Sequence, residues 1–186
     1  MTRSLFLTLM LVGSAVTAHA QAPAFTLTSS DAPAGSTIKA EQVLNGFGCS
    51  GGNVSPALSW SHAPSGTKSF ALILHDPDAP TGVGGFTHWI VYNIPATATG
   101  LAKGAGAADG KALPAGAGQS VTSFGAAGYG GPCPPAGDAP HKYVFTLYAL
   151  KTERIDLPAN STQALAGFTI NGASLGRATF TALYGR

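Results

Sequence analysis

The sequence predicts a mainly β, single-domain fold: an antiparallel β-sandwich with a few peripheral short helices. Three observations carry that expectation. Gly (25) and Pro (13) recur along the 186 residues, while only 10% are charged, too few for a helical bundle or coiled coil. Residues 69–75, 87–94 and 142–150 are rich in apolar, β-branched and aromatic side chains, as strands are. Between such runs stand turn residues rather than helical periods.

Taken in order, residues 1–20 read as a secretory signal peptide, to be set aside before the fold is considered. Arg3 supplies the positive start, residues 5–16 a short apolar stretch, and Ala18-His19-Ala20 a small-x-small cleavage site. Cleavage there starts the mature chain at Gln21, so residues 21–186 form the domain, and no Cys follows the cut to carry a lipid anchor. No apolar run reaches the roughly 18 residues that span a bilayer, so no transmembrane anchor is expected after processing. The protein is therefore expected to be periplasmic or secreted. In an oxidising compartment the even pair Cys49 and Cys133 is expected to form a disulfide, although spacing alone leaves two reduced thiols open.

Residues 25–28 alternate and read as an opening strand. Residues 39–44 hold at most a short helix, and residues 57–60 a short strand after Pro56. Residues 69–75 are nearly continuously apolar, which places that strand at the centre of a sheet. Residues 87–94 make another, ended by Pro95. The Ala/Gly-rich residues 98–118 read as a long surface excursion with little structure of its own. Residues 142–150 are the clearest strand. Asn160, with Gln163 three positions on, is expected to cap a helix whose body is residues 162–168. Residues 174–184 alternate as a last strand.

A formal net charge of +2, scattered along the chain, gives no basic stripe for nucleic acid. The rare polar groups gather at strand ends instead. Asp76 and Asp78 sit two apart on a proline-stiffened turn, where they can face one volume. His88 opens the next strand, and strict alternation puts it on the face of Ile90 and Tyr92, away from Trp89. His141 and Tyr143 share a face at the start of residues 142–150. Ahead of them runs Gly130-Gly131-Pro132, where glycine lets backbone N–H groups turn outward as an anion nest. Each element alone is a common structural feature; their order along the chain suggests one convergent pocket. Trp89 reads as core, and Tyr129 as either core or pocket wall.

The set Asp76-Pro77-Asp78-Ala79-Pro80, His88-Trp89, Gly130-Gly131-Pro132 and His141-x-Tyr143 resembles the phosphatidylethanolamine-binding proteins, also called Raf kinase inhibitor-like proteins. Residues 49–60 (CSGGNVSPALSW) and 131–135 (GPCPP) are similar to the bacterial branch of that family. The resemblance runs from Phe25 to Arg186. It implies a sandwich of one large and one small sheet, and a small anion pocket built from Asp76, Asp78, His88, the Gly130-Gly131-Pro132 loop, His141 and Tyr143. It also implies phosphate or a phospholipid headgroup as the kind of ligand, with kinase or serine-protease inhibition in some members. The chain departs from eukaryotic members in its signal peptide, its 98–118 segment and a single His before Trp89, so the cytosolic signalling role does not carry over.

The resulting expectation is an exported binding protein for a small anion, with no cofactor and no resident metal. The alternatives are a periplasmic protein-interaction module or serine-protease inhibitor, its partner unknown, and, less favoured, an Asp/His metal-dependent hydrolase. Against the hydrolase stand the lack of an H-x-x-x-H spacing and of a Gly-x-Ser-x-Gly elbow. Two ionised aspartates would repel an anion, so the pocket requires at least one to be protonated or turned onto a histidine. Anion affinity is then expected to rise as pH falls through the histidine range.

Overall fold

The computed structural model describes residues 23–158 and 160–186; the signal-peptide reading of residues 1–20 lies outside them. In chain order the elements are β1 (Thr26–Thr28), β2 (Asn45–Gly46), β3 (Cys49–Ser50), β4 (Leu58–Ser61), β5 (Ser69–Asp76), β6 (Phe86–Pro95), β7 (Gly100–Leu101), β8 (Gly118–Gln119), β9 (His141–Leu150), α1 (Gln163–Ala173) and β10 (Ser174–Tyr184). A five-stranded sheet, β10-β9-β5-β6-β8, faces a three-stranded one, β1-β4-β7, and every pairing is antiparallel. The strands β2 and β3 form a separate small hairpin. Among the described residues no helix is long and apolar enough to cross a membrane.

β5 is central because it is covered on both faces, and for that reason it reads as an unbroken apolar run. Phe70, Leu72 and Leu74 point into the sandwich, where Leu27 and Trp60 of the small sheet meet Phe145, Leu147 and Phe180. Ala71 and Ile73 point the other way, into a second core that α1 closes with Ala166, Ile170 and Ala173. Burying each large side chain of this kind contributes about 1.5–3 kcal/mol.

Residues 39–44, expected to hold at most a short helix, form consecutive turns, Gln42 N–H to the Lys39 carbonyl and Val43 N–H to the Ala40 carbonyl. Two local expectations are corrected. The helix near the C-terminal end is capped by Thr162, whose Oγ1 accepts from Leu165 N–H at 3.2 Å; Asn160 stands outside it in a left-handed conformation (φ 62°). It runs on to Ala173 because Ala166, Ile170 and Ala173 continue one buried face at helical spacing. Finally, residues 98–118 are no idle excursion. Gly100–Leu101 and Gly118–Gln119 add an edge strand to each sheet, and Leu101 and Ala105 are buried in the sandwich core. A side chain at Gly106 would collide with Tyr129, Ser55 and Trp89. Lys103 pairs with both Asp31 (3.1 Å) and Glu41 (2.9 Å), pinning the segment to the rest of the domain.

Candidate functional site

Antiparallel pairing brings three strand ends together. β5 ends at Asp76, opposite Phe86 where β6 begins, and β9 runs back along β5 from His141. The residues of the two distant motifs therefore arrive at one edge of the large sheet. Beside this edge lies a cleft of about 340 Å³ lined by His88, His141, Tyr143, Ser123 and Thr81, with apolar walls that include Phe47, Phe86, Phe124, Pro134 and Pro135.

Asp76 is buried and does not line the cleft; it stands behind His141. One carboxylate oxygen accepts from His141 Nδ1 at 2.8 Å, and the other accepts the N–H groups of Asp78 (2.9 Å) and Ala79 (3.1 Å) in the turn that follows. His141 Nε2 lies 3.4 Å from Asp138. Burial alone would push the His141 pKa down. Its hydrogen bond to Asp76, the charge of that carboxylate and then Asp138 outweigh burial and raise it.

His88 is reached by a β-bulge. Leu74 pairs with Trp89 and His75 with Thr87, so β6 carries one residue more than β5 here and His88 is the extra one. Alternation is broken, and the expectation that His88 shares a face with Ile90 and Tyr92 is corrected. His88 packs edge-on against Tyr143 (5.2 Å) and Phe124 (5.4 Å), while Ile90 and Tyr92 belong to the core under α1. Its Nδ1 is 2.7 Å from the Gly130 carbonyl, which fixes the proton there and leaves Nε2 as a lone pair without a partner of hydrogen-bonding geometry among the described residues. Burial lowers the pKa of this ring to about 4, against the opposing pull of the Gly130 carbonyl and Asp76. The single histidine-range titration expected from the sequence thus splits into two, one above and one below the ordinary value.

The anion nest at Gly130-Gly131-Pro132 is corrected as well. Gly130 N–H donates to the His88 carbonyl (2.9 Å) and Gly131 N–H to Asn53 Oδ1 (2.8 Å), so both donors point inward. Glycine is required here for close approach: a Cβ on Gly130 would enter the Phe124 ring, and one on Gly131 would meet the Gln42 carbonyl. Pro132 is buried, and its carbonyl accepts from Leu44 N–H. The loop holds His88 through the Gly130 carbonyl and offers no free N–H from Gly130 or Gly131.

Asp78 faces a neighbouring shallow depression with Asp138 and Lys142. Its carboxylate accepts from Lys142 N–H at 2.8 Å, which holds its pKa below the usual range despite some burial, and Lys142 Nζ is 3.5 Å away. Both aspartates are therefore committed to cationic partners rather than to the cleft. Tyr143 lines the cleft, and among the described residues its buried hydroxyl has no hydrogen-bond partner in good geometry, although the Asp76 carboxylate lies close to it. Burial, then the nearby Asp76 carboxylate, raises its pKa. Tyr129 is core: it donates to the Gln42 carbonyl and stands edge-on to Trp89. Trp89 is fully buried and donates to Gln119.

Sequence reasoning missed Asp138, Phe47, Phe86 and Phe124. The i, i+3 spacing of Asp138 and His141 was the one local signal available. The phenylalanines sit in Gly- and Ser-rich segments whose placement depends on long-range contacts. Cys49 and Cys133 are joined by a disulfide that ties the β2–β3 hairpin to the loop carrying Pro134 and Pro135. Among the described residues no group of three or more His, Cys, Asp or Glu could hold a metal ion.

The family described as phosphatidylethanolamine-binding protein matches residues 15–185. The chain is 51% identical to the protein YbcL of Escherichia coli (strain K12), over 91% of its own length and 92% of YbcL. The crystal structure of YbcL, described as a new member of the mammalian PEBP family, matches with a TM-score of 0.85 at 50% identity, covering 87% of this chain and 98% of that one. A Chlamydia trachomatis homologue, CT736, matches with a TM-score of 0.72 at 32% identity, over 88% and 98% of the two chains. LppC of Mycobacterium tuberculosis, named as a candidate lipoprotein, is 44% identical over 71% of this chain and 60% of its own.

Proposed function

Since the chain belongs to the phosphatidylethanolamine-binding protein family, we propose that it is an exported, periplasmic or secreted protein whose cleft binds a small anion, a phosphate or a phosphate-bearing headgroup. The observation that carries this reading is the Tyr143 hydroxyl, a buried donor in the wall of a cleft that forms no well-aligned hydrogen bond among the described residues, with the Asp76 carboxylate near it but out of good geometry. Such a group costs roughly 1–3 kcal/mol while it stays unpaired, a cost that a ligand oxygen removes. His141 supplies positive charge nearby, and with Asp76 and Asp78 turned onto His141 and Lys142 the repulsion of the anion is reduced. Export is supported by the pattern of residues 1–20 and by the name that LppC carries.

The His88 lone pair sets a condition on the ligand. A fully ionised phosphate oxygen placed against Nε2 would face another acceptor, so one proton must lie between them, brought by the ligand or taken up by the ring. Affinity therefore falls as pH rises above about 6, where a phosphate monoester loses its second proton. Calorimetry of the processed protein with inorganic phosphate and with phosphoethanolamine tests the reading. Saturable binding is expected for at least one of them, with uptake of a proton at pH 8 and weaker binding in Tyr143→Phe. Absence of binding by both ligands at pH 6 would sink it.

A further inference from the structure

One side chain outside the cleft holds two of its walls together. Arg186 donates from Nε to the Pro134 carbonyl (2.7 Å), from Nη1 to Gly48 (3.1 Å) and from Nη2 to Phe47 (3.3 Å). Phe47 and Pro134 both line the cleft, and Arg186 does not. Its own main-chain oxygen accepts from Gly137 N–H at 3.0 Å, so the fork is anchored at its base as well. All three acceptors of the fork are neutral carbonyls, so its contribution here is geometry more than charge. A planar guanidinium reaches three fixed acceptors at once, whereas an ammonium is a point donor on a flexible stem.

The carbonyls of the segment it grips lie in a two-residue turn next to the disulfide at Cys49. Phe47 and Gly48 form the turn between β2 and β3, and both have positive φ, 50° and 83°. For Phe47 that conformation is strained. The residue is 76% exposed, and its ring stacks on Phe124 at 6.1 Å with planes 12° apart. The disulfide fixes the hairpin at Cys49, directly after the turn; Arg186 fixes the carbonyls of the turn itself. A Cβ on Gly48 would lie 3.3 Å from Arg186 Nη1, so the bare turn is also what admits the guanidinium.

We propose that Arg186 is a positioning residue for the cleft. By joining the Phe47–Gly48 turn to Pro134 it holds the Phe47 ring against Phe124 as an apolar wall, which selects phosphate monoesters carrying an aryl or alkyl group over the bare ion. The proposal rests on the anion reading of the cleft. A wall that is ordered before binding removes an ordering cost for ligands that touch it and changes nothing for those that do not.

Titrations of the parent, Arg186→Gln and Arg186→Lys with inorganic phosphate and phenyl phosphate, together with ring NMR of Phe47 and Phe124, test it. Arg186→Gln is expected to bind phenyl phosphate about tenfold more weakly and inorganic phosphate within about twofold of the parent, the signature of lost preorganisation at one wall. Arg186→Lys, which keeps the charge, is expected not to restore the phenyl phosphate affinity, and the Phe47–Phe124 cross-peaks weaken in both variants. Equal losses for the two probes, no loss for either, or full rescue by lysine overturns the proposal. If the parent binds neither probe the anion reading fails by itself, and cross-peaks that persist in Arg186→Gln then overturn the positioning role separately.

Discussion

His141 Nδ1 lies 2.8 Å from an oxygen of Asp76, with the two side chains only 5% and 3% exposed, so a buried pair, charged when His141 is protonated, backs the cleft that His141 lines. Breaking such a pair by removing one partner costs about 3–5 kcal/mol, because the other charge is left buried. Asp76→Ala also removes the acceptor for Asp78 and Ala79 N–H and is expected at the upper end of that range. The folded pKa of His141 is raised above its unfolded value of 6.5, so the pair's contribution is complete below that pH and is lost as pH rises through the raised value. The stability difference between the parent and Asp76→Asn in urea is therefore larger at pH 6 than at pH 9. A difference independent of pH would show that His141 is not charged in the folded protein.

The neighbouring histidine carries the opposite sign. His88 titrates at about 4 when folded and at 6.5 when unfolded, so the unfolded chain takes up a proton that the folded one excludes. Stability is undiminished above pH 6.5 and falls by about 3 kcal/mol between there and pH 4. Replacing the ring in His88→Gln removes that acid limb from the pH–stability curve. Nitrogen chemical shifts check the same point directly: the Nδ1–H tautomer is expected to persist down to about pH 4, and an imidazolium at pH 6 contradicts it.

These two histidines also mark where sequence reasoning held and where it failed. The strands were legible because burial writes itself into composition: β5, covered on both faces, reads as SFALILH, and β9 as an aromatic and β-branched run. The convergence of Asp76, His88 and His141 on one sheet edge follows from antiparallel order, given the strands. The bulge at His88 left no trace, since one inserted residue in a strand looks like any other. Nor did the loops disclose their partners. Gly130 and Gly131 suit an outward nest and a tight packing contact equally well, and only Phe124, Gln42 and Asn53, distant in sequence, decide between them.

That distinction predicts how the two glycines respond to alanine. At Gly131 the new methyl meets the Gln42 carbonyl, which is backbone and tied into the turn at residues 39–44, so the chain itself must shift. At Gly130 it meets the Phe124 ring, which borders the open cleft and has room to swing. Overpacking of this kind costs about 1–3 kcal/mol, and Gly131→Ala is expected to cost more than Gly130→Ala. Gly130→Ala is in turn expected to disturb ligand binding more, since the displaced ring narrows the cleft. Denaturant midpoints and phosphate titrations on the two variants give both orders, and an outward nest would instead leave stability unchanged in each.

Tyr143→Phe separates a structural role from a binding one. A tyrosine kept for the fold would lose stability with its hydroxyl, because the hydroxyl would be bonded. Here it is buried without a well-aligned bond among the described residues, the nearby Asp76 carboxylate being out of good geometry, so deleting it removes a desolvated dipole and leaves the ring packed on His88 as before. The variant is expected to be more stable than the parent by about 1 kcal/mol in the absence of ligand, the order of an unmet hydrogen bond. In the presence of saturating phosphate the order reverses, since the parent alone gains the bond and the stabilisation that tight binding adds by mass action. Thermal melts of both proteins with and without phosphate show the crossing. A variant less stable than the parent without ligand would mean that the hydroxyl is satisfied in the free protein and is not held in reserve for an anion.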